Sequence, residues 1–300
     1  MSDQHDQTHE PWTIGRLLKS TTDFLRHKGV AEPRLCAEIL LAHTLKYPRI
    51  RLYTRFDEIC SPEQLDRYRE LVRSAARHTP VAYLVGNKEF FSLSFEVTPD
   101  VLIPRPETEC LVEHAVELVR RRDDNRVHIL DLGTGSGCII VTIATQLSNV
   151  RGTGTDVSAA VLDIARRNAD RHRVSDRVTF VEADRLALPR EVVPGGGFDM
   201  MVCNPPYVAQ ADMPALPPNV RDHEPHSALT PGTDGLDFYR SIAAQGHGLL
   251  RSKGHILVEI GAGQGSDVRS IFASTERFRH QGTYRSQNDP HDRVLHFTKV

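Results

Sequence analysis

From Val127 to the end of the chain, short apolar runs alternate with amphipathic stretches, and that alternation restricts the fold more than any other feature. The runs are VHILDL, RGTGTD, RVTFVEAD, FDMMVCN and GHILVEIG, with helical patterns beginning at Cys138 and Ser158 between the first three. Such strand-helix-strand repetition requires a parallel sheet with helices on both faces, an α/β fold. Two further strands are expected after Phe278, the last being RVLHFTKV.

The preceding residues read differently. Ile14, Leu17, Leu18, Thr21, Phe24 and Leu25 recur at helical spacing between Trp12 and Gly29, with the glycine where a C-terminal cap belongs. A second helix covers about Arg34 to Leu45, and Ser61-Pro62-Glu63-Gln64 opens a third with a capping box and proline at the first helical position. Residues 11–85 are therefore expected to form a small helical bundle, open to recognition or packing because it groups no acid, base or nucleophile. Alternation in EFFSLSFEVTPDVLI predicts a β-hairpin linker over 86–104, after which Pro106 opens the helix PETECLVEHAVELVRR. Residues 105–300 make the α/β domain, and residues 1–10 read as a disordered tail.

Composition excludes several classes. With 39% hydrophobic and 25% charged residues and no long apolar run, no membrane span is expected. The opening MSDQHDQTHE lacks the features of a secretory signal. The five cysteines form no CxxC pair, which suits a reducing cytoplasm, and the fifteen histidines show no HExxH spacing, so no metal is expected. A formal charge of -2, with both signs interleaved, supplies no overall field towards nucleic acid.

The strand VHILDL runs into Gly133-Thr134-Gly135-Ser136-Gly137 and a helix follows at once, placing glycines where the backbone must approach a ligand closely. The second strand ends at Asp156, where a carboxylate accepts hydrogen bonds from ribose hydroxyls. NAD and S-adenosylmethionine share that geometry. Cys138 stands where an NAD fingerprint wants glycine, and Asp131 suits a cofactor carrying an ammonium and a sulfonium, so S-adenosylmethionine is the better fit. After the third strand, Asp184 is a candidate acceptor for an adenine amino group and Arg185 for stacking on the ring; both also suit a solvated loop.

The fourth strand ends in Asn204-Pro205-Pro206-Tyr207. Two prolines fix the backbone, so the Asn204 side chain and the Pro205 carbonyl form a rigid acceptor pair for a planar NH2 group, with Tyr207 available to stack. Such a pair orients an amide nitrogen, or an adenine amino group, for attack on a methyl held by a sulfonium. Three functions stay open on these residues: protein amide methylation, nucleic-acid adenine methylation and non-catalytic binding through the helical unit.

Along nearly its whole length the chain resembles the PrmC (HemK) family of release factor glutamine methyltransferases. RLCAEILLAH, PVAYLVGNKEFFSLSFEVTPDVLIPRPETECLVE, RDHEPHSAL, GLDFYRSI and HILVEIGAGQG look like family segments in family order, beside DLGTGSG and NPPY. The resemblance implies a seven-stranded, Rossmann-like class I methyltransferase domain with its last strand antiparallel, behind a helical substrate-recognition domain and a hairpin. It implies S-adenosyl-L-methionine as methyl donor and, as acceptor, the glutamine of a GGQ loop in peptide chain release factors, without direct nucleic-acid binding. Gly133 to Gly137, Asp156, Arg185 and Asn204 would touch the cofactor, and Asn204 to Tyr207 the glutamine. Arg185 is a departure, since members can carry an aromatic residue there. Arg105, Glu107, Arg221 and Glu224 match segments flanking the cleft and receive no chemical step.

Overall fold

The computed structural model describes residues 11–122, 126–286 and 290–300; the expected tail over 1–10 lies outside them. The chain divides into two units, one running to Gly86 and the other from Asn87 to Val300.

The first unit is helical: α1 (Ile14–His27), α2 (Pro33–Leu45), the short α3 (Arg51–Thr54), α4 (Pro62–Ala75) and α5 (Val81–Val85). Thr13 caps α1, and Ser61 and Gln64 form the reciprocal capping box expected at α4. Ile14, Leu17, Leu18 and Leu25 join Leu40, Leu41, Leu52 and Tyr68 in one core. Phe24 departs from the expected stripe: it stays 41% exposed, with the Lys28 ammonium over its ring.

The second unit begins with the hairpin β1 (Asn87–Phe90) and β2 (Leu93–Glu96), then α6 (Glu109–Arg120). Pro106–Thr108 is a separate 3-10 turn, so the proline initiates that turn and α6 starts later than the sequence suggested. There follow β3 (Val127–Leu132), α7 (Cys138–Gln146), β4 (Val150–Asp156), α8 (Ala159–Arg171), β5 (Val178–Glu182) and β6 (Phe198–Cys203). After the one-turn α9 (Pro218–Arg221) come α10 (Asp237–Gln245), β7 (Leu250–Glu259), α11 (Gly265–Ala273), β8 (Phe278–Arg285) and β9 (Asp292–Lys299).

The seven larger strands form one sheet in the order β5-β4-β3-β6-β7-β9-β8. β9, inserted between β7 and β8 and antiparallel to both, runs opposite to the other six strands. Consecutive side chains go to opposite faces, which the two-residue period of a strand demands. Val127, Ile129, Met200, Val202 and Leu257 pack with α6 and α7, while Leu130, Leu132, Met201, Cys203 and Ile256 pack with α10 and α11. Asn168 of α8 ties the hairpin down: Oδ1 accepts from Glu96 N at 2.7 Å, and Nδ2 donates to the carbonyls of Glu96 and Ser136. Strand order reverses direction at β3, where ligands of open α/β sheets gather at the carboxyl ends. Among the described residues no helix is long and apolar enough to cross a membrane, and no cluster of metal-ligating side chains occurs.

Candidate active site

A cavity of about 340 Å³ opens at the carboxyl ends of β3, β4 and β6, within the range of small-molecule sites. Its wall carries Leu132, Gly133 and Gly135 from the glycine loop, Asp156 from β4, Asp184 and Arg185 from the loop after β5, and Asn204 and Pro206 from the end of β6. Segments separated by more than a hundred residues meet there because parallel strands deliver all their carboxyl ends to one edge.

The loop after β3 needs its glycines. Gly133, Gly135 and Gly137 take φ of +71°, +54° and +80°, conformations that a side chain disfavours. Gly135 N donates to Asp156 Oδ2 at 3.2 Å, and Asp156 Oδ1 accepts from Ser158 N at 3.3 Å, so the acid is held at the floor of the cavity. Burial raises its pKa from the ordinary carboxylate value, and the backbone N–H groups of Gly135, Ser158 and Val157 oppose that rise.

Asp131 lies beneath the loop instead of on the wall. It is fully buried, Oδ2 accepts from Thr134 Oγ1 at 2.6 Å, and Oδ1 has no partner. Burial pushes its pKa up to about 7 against the pull of the Thr134 hydroxyl. Asp199 makes the contrast: equally deep in β6, it accepts from His128 N and pairs with Arg122 and Arg251, and so is a satisfied structural acid. Buried polar atoms are rarely left unpaired, so an orphan beside a cavity marks a place that a ligand completes. Ser136 Oγ is a second such orphan, on the wall of a smaller adjoining cavity that also includes Arg105, Thr108 and Asn204. An open glycine cradle, an acid at the ribose position and an unpaired acid under the loop fit a cationic nucleoside cofactor.

At the end of β6, Asn204 is half-buried and its Nδ2 donates to Thr108 Oγ1 at 3.1 Å. Pro205 and Tyr207 do not line the cavity. The Tyr207 ring packs on the core beside α10 and α11, and burial pushes its phenol up to about 12. Its carbonyl accepts from Gln264 Nε2 at 2.9 Å, while Gln264 Oε1 accepts from Gly261 N. Gly235 lies so close that a Cβ there would stand 2.3 Å from Tyr207 O, which explains a glycine at that turn.

Arg185 sits at φ +51°, with Nη1 donating to Ser241 Oγ at 2.8 Å and its guanidinium 5.4 Å from the Phe238 ring. Phe238, also on the wall, escaped the residue-by-residue reading although GLDFYRSI contains it. The segments Pro99–Leu102 and Pro225–Ala228 were missed as well; they line the cavity because Glu224 joins them. Its buried carboxylate accepts from Arg105 Nη2 at 2.6 Å and from Ile103 N at 3.2 Å. Arg221 stays on the surface, paired with its neighbour Asp222.

Comparison with known proteins gives a consistent picture. Residues 16–86 match the family model described as the PrmC N-terminal domain, and residues 123–232 match that of a methyltransferase domain. The release factor glutamine methyltransferase of Chlorobaculum tepidum is 42% identical over 267 residues, covering 88% of this chain and 90% of the relative. That of Rhodopirellula baltica is 44% identical over 252 residues, covering 83% and 84%. Among solved structures, the hMettl16 catalytic domain in complex with MAT2A 3'UTR hairpin 1 aligns with a TM-score of 0.56 at 15% identity, over 93% of this chain and 91% of that one, a likeness of fold alone.

Proposed function

We propose the reaction from one premise: this chain belongs to the release factor glutamine methyltransferase family. It is an S-adenosyl-L-methionine-dependent protein-glutamine N-methyltransferase, and release factors are its substrates. The acceptor we assign is the side-chain amide nitrogen of the glutamine in their GGQ loop. One observation carries that assignment: a rigid Asn204-Pro205-Pro206 turn presents its asparagine at the wall of a cavity that Gly135 and Asp156 also line.

Bound S-adenosylmethionine supplies a methyl group on a sulfonium. The protein's own part is positional, because an amide nitrogen has a delocalised lone pair and attacks only when well oriented. Asn204 Oδ1 accepts from the amide NH2, which orients the nitrogen and stabilises the positive charge that grows on it. Asp156 accepts from the ribose hydroxyls, Asp184 and Arg185 border the adenine, and Asp131 lends negative charge beneath the cationic end. Phe238 offers the aromatic face that Arg185 does not, and holds the guanidinium beside it.

The helical unit supplies recognition in this reading, through the exposed Ile50, Tyr53, Phe56 and Ile59, which a monomeric bundle would otherwise keep from water. With a formal charge of -2 the chain has no general attraction for phosphate backbones, and direct nucleic-acid binding is no part of the reading. Release factors place the reaction in the cytoplasm.

Transfer of labelled methyl from S-adenosylmethionine to a purified release factor tests the proposal, beside a factor whose GGQ glutamine is replaced and beside DNA. Label on the unaltered factor alone is expected. Label on DNA, or equal label on the replaced factor, would overturn the assignment. Asp156→Asn keeps the shape of the acid and removes its charge; the dissociation constant of S-adenosylmethionine by calorimetry should rise about tenfold, the loss of one charge-assisted hydrogen bond. An unchanged constant would remove Asp156 from the cofactor site.

A further inference from the structure

On the face of the sheet that packs against α6, β9 carries a histidine among apolar neighbours. His296 is 4% exposed, pairs in register with Leu257 of β7, and has the Tyr284 ring of β8 stacked 6.5 Å away. Its Nε2 stands 2.9 Å from Nδ1 of the half-buried His255 on β7. On the far side of Tyr284, His114 of α6 lies against the tyrosine ring, with centroids 3.6 Å apart. Four rings from four elements thus run in one file: His114, Tyr284, His296 and His255. None of them lines the cofactor cavity or the smaller one beside it.

The bond between His255 and His296 uses one proton, and whichever ring donates it, His296 Nδ1 stays buried without a partner among the described residues. A buried imidazole is ordinarily completed by a carboxylate, a carbonyl or a metal. Asp199 is already taken by His128 N, Arg122 and Arg251, and Glu117, 3.6 Å from His114, has an exposed side chain. No group of three metal-ligating side chains converges among the described residues.

We propose that this file is a proton-operated latch: neutral, it fastens α6, β8 and β9 over β7, and a proton entering the His255–His296 pair releases them.

The reason is where the added charge sits. On His296 it turns Nδ1 into a buried N–H with no acceptor. On His255 it faces the charge of Arg122. The charged and titratable groups facing the file are Glu113, Glu117 and Arg121 on α6, Arg122 after it, Asp199 on β6, Arg251 on β7 and His280 on β8. Both glutamates are exposed and Asp199 is neutralised by two arginines, so nothing buried there welcomes a cation. Burial lowers the pKa of His114 and His255, and takes His296 down to about 4. Neutral in the fold and charged in the unfolded chain, these rings stabilise fully above the unfolded value of about 6.5, and that stabilisation is lost as pH falls below it.

His255→Asn combined with His296→Gln tests the latch. Asparagine places an amide where Nδ1 stood and glutamine one where Nε2 stood, so a hydrogen bond across the pair survives while neither residue takes a proton. Below about pH 6 the unaltered protein takes up about two protons on unfolding that the variant does not, so its unfolding constant should rise about 100-fold more per pH unit. The difference between the proteins is the readout, because Asp131 and Glu259, pushed up to about 7, act in the opposite sense over the same range. Hydrogen exchange, corrected for its intrinsic pH dependence, should accelerate at α6, β8 and β9 ahead of β3 and β4 as pH falls from about 8 to about 5, and only in the unaltered protein. The imidazole resonances of His255 and His296 in the folded protein should keep their neutral positions down to about pH 6, which decides the matter where the variant does not fold. Parallel pH dependence of the two proteins, uniform acceleration across the sheet, or titration of His296 near its unfolded value in the intact fold would overturn the proposal.

Discussion

Asn204→Ala is expected to lower kcat by about 10²–10³, the effect of deleting one preorganised group that acts on developing charge. S-adenosylmethionine should still bind, because the glycine loop and Asp156 keep their places on the other side of the cavity. The side chain is half-buried and makes one hydrogen bond within the protein, to Thr108, so its removal costs the fold about 1 kcal/mol. The deficit should therefore fall on turnover, with the release factor's KM little altered, since an amide that has lost its acceptors is still delivered by the rest of the substrate. Asn204→Asp separates two explanations. It keeps an acceptor but cannot donate to Thr108. Measured kcat and calorimetric cofactor affinity on the same preparations give the answer. A loss of cofactor affinity equal to the loss of kcat would make Asn204 a binding residue for the cofactor and remove it from the transfer step.

The parts of this site that were legible in the sequence are those whose geometry is local. GTGSG needs positive φ within five residues, Asp156 ends the very next strand, and the two prolines fix Asn204 without help from elsewhere. The capping box at Ser61 is likewise set within four residues. What the residues alone did not disclose depends on partners far along the chain. Thr108 meets Asn204 across 96 positions, and Glu224 meets Arg105 across 119. Glu259 looked like a polar end to an apolar strand, and only the folded sheet shows that its oxygens stay unpaired. Tyr207 was read as a stacking surface beside an acceptor pair; in the structure its ring packs against the core, and Gln264 and the close approach of Gly235 hold its backbone. Arg185 suited either stacking on a ring or a solvated loop in the sequence, whereas Ser241 and Phe238 hold it in the fold. The antiparallel run of the last strand came from resemblance alone, and its insertion between β7 and β8 is disclosed only by the fold, since alternation gives strands and not their order.

Glu224→Ala should destabilise the second unit by about 3–5 kcal/mol, the range for removing one partner of a buried ion pair. The Glu224 side chain is wholly buried and that of Arg105 is 27% exposed, so solvent does little to screen the pair. Alanine would also leave the Ile103 N–H without its acceptor. For a unit of this size such a loss lowers Tm by roughly 2–4 °C per kcal/mol. Glu224→Gln gives the discriminating comparison: it retains an acceptor for Ile103 N and for the guanidinium while losing the charge attraction, and should cost less than half as much. Arg105→Ala should be at least as damaging as Glu224→Ala, because the charge it strands is the fully buried one. The pair joins Pro99–Leu102 to Pro225–Ala228, two walls of the cofactor cavity, so its rupture has a local consequence before a global one. Cofactor affinity should fall at temperatures well below Tm, and hydrogen exchange should accelerate at Val101 and Ile103 ahead of the strands of the sheet. If Glu224→Ala and Glu224→Gln shift Tm equally, charge is irrelevant and the carboxylate acts only as an acceptor for Ile103. If neither shifts it, the joined walls are held by packing alone, and the role of Glu224 in shaping the site is lost.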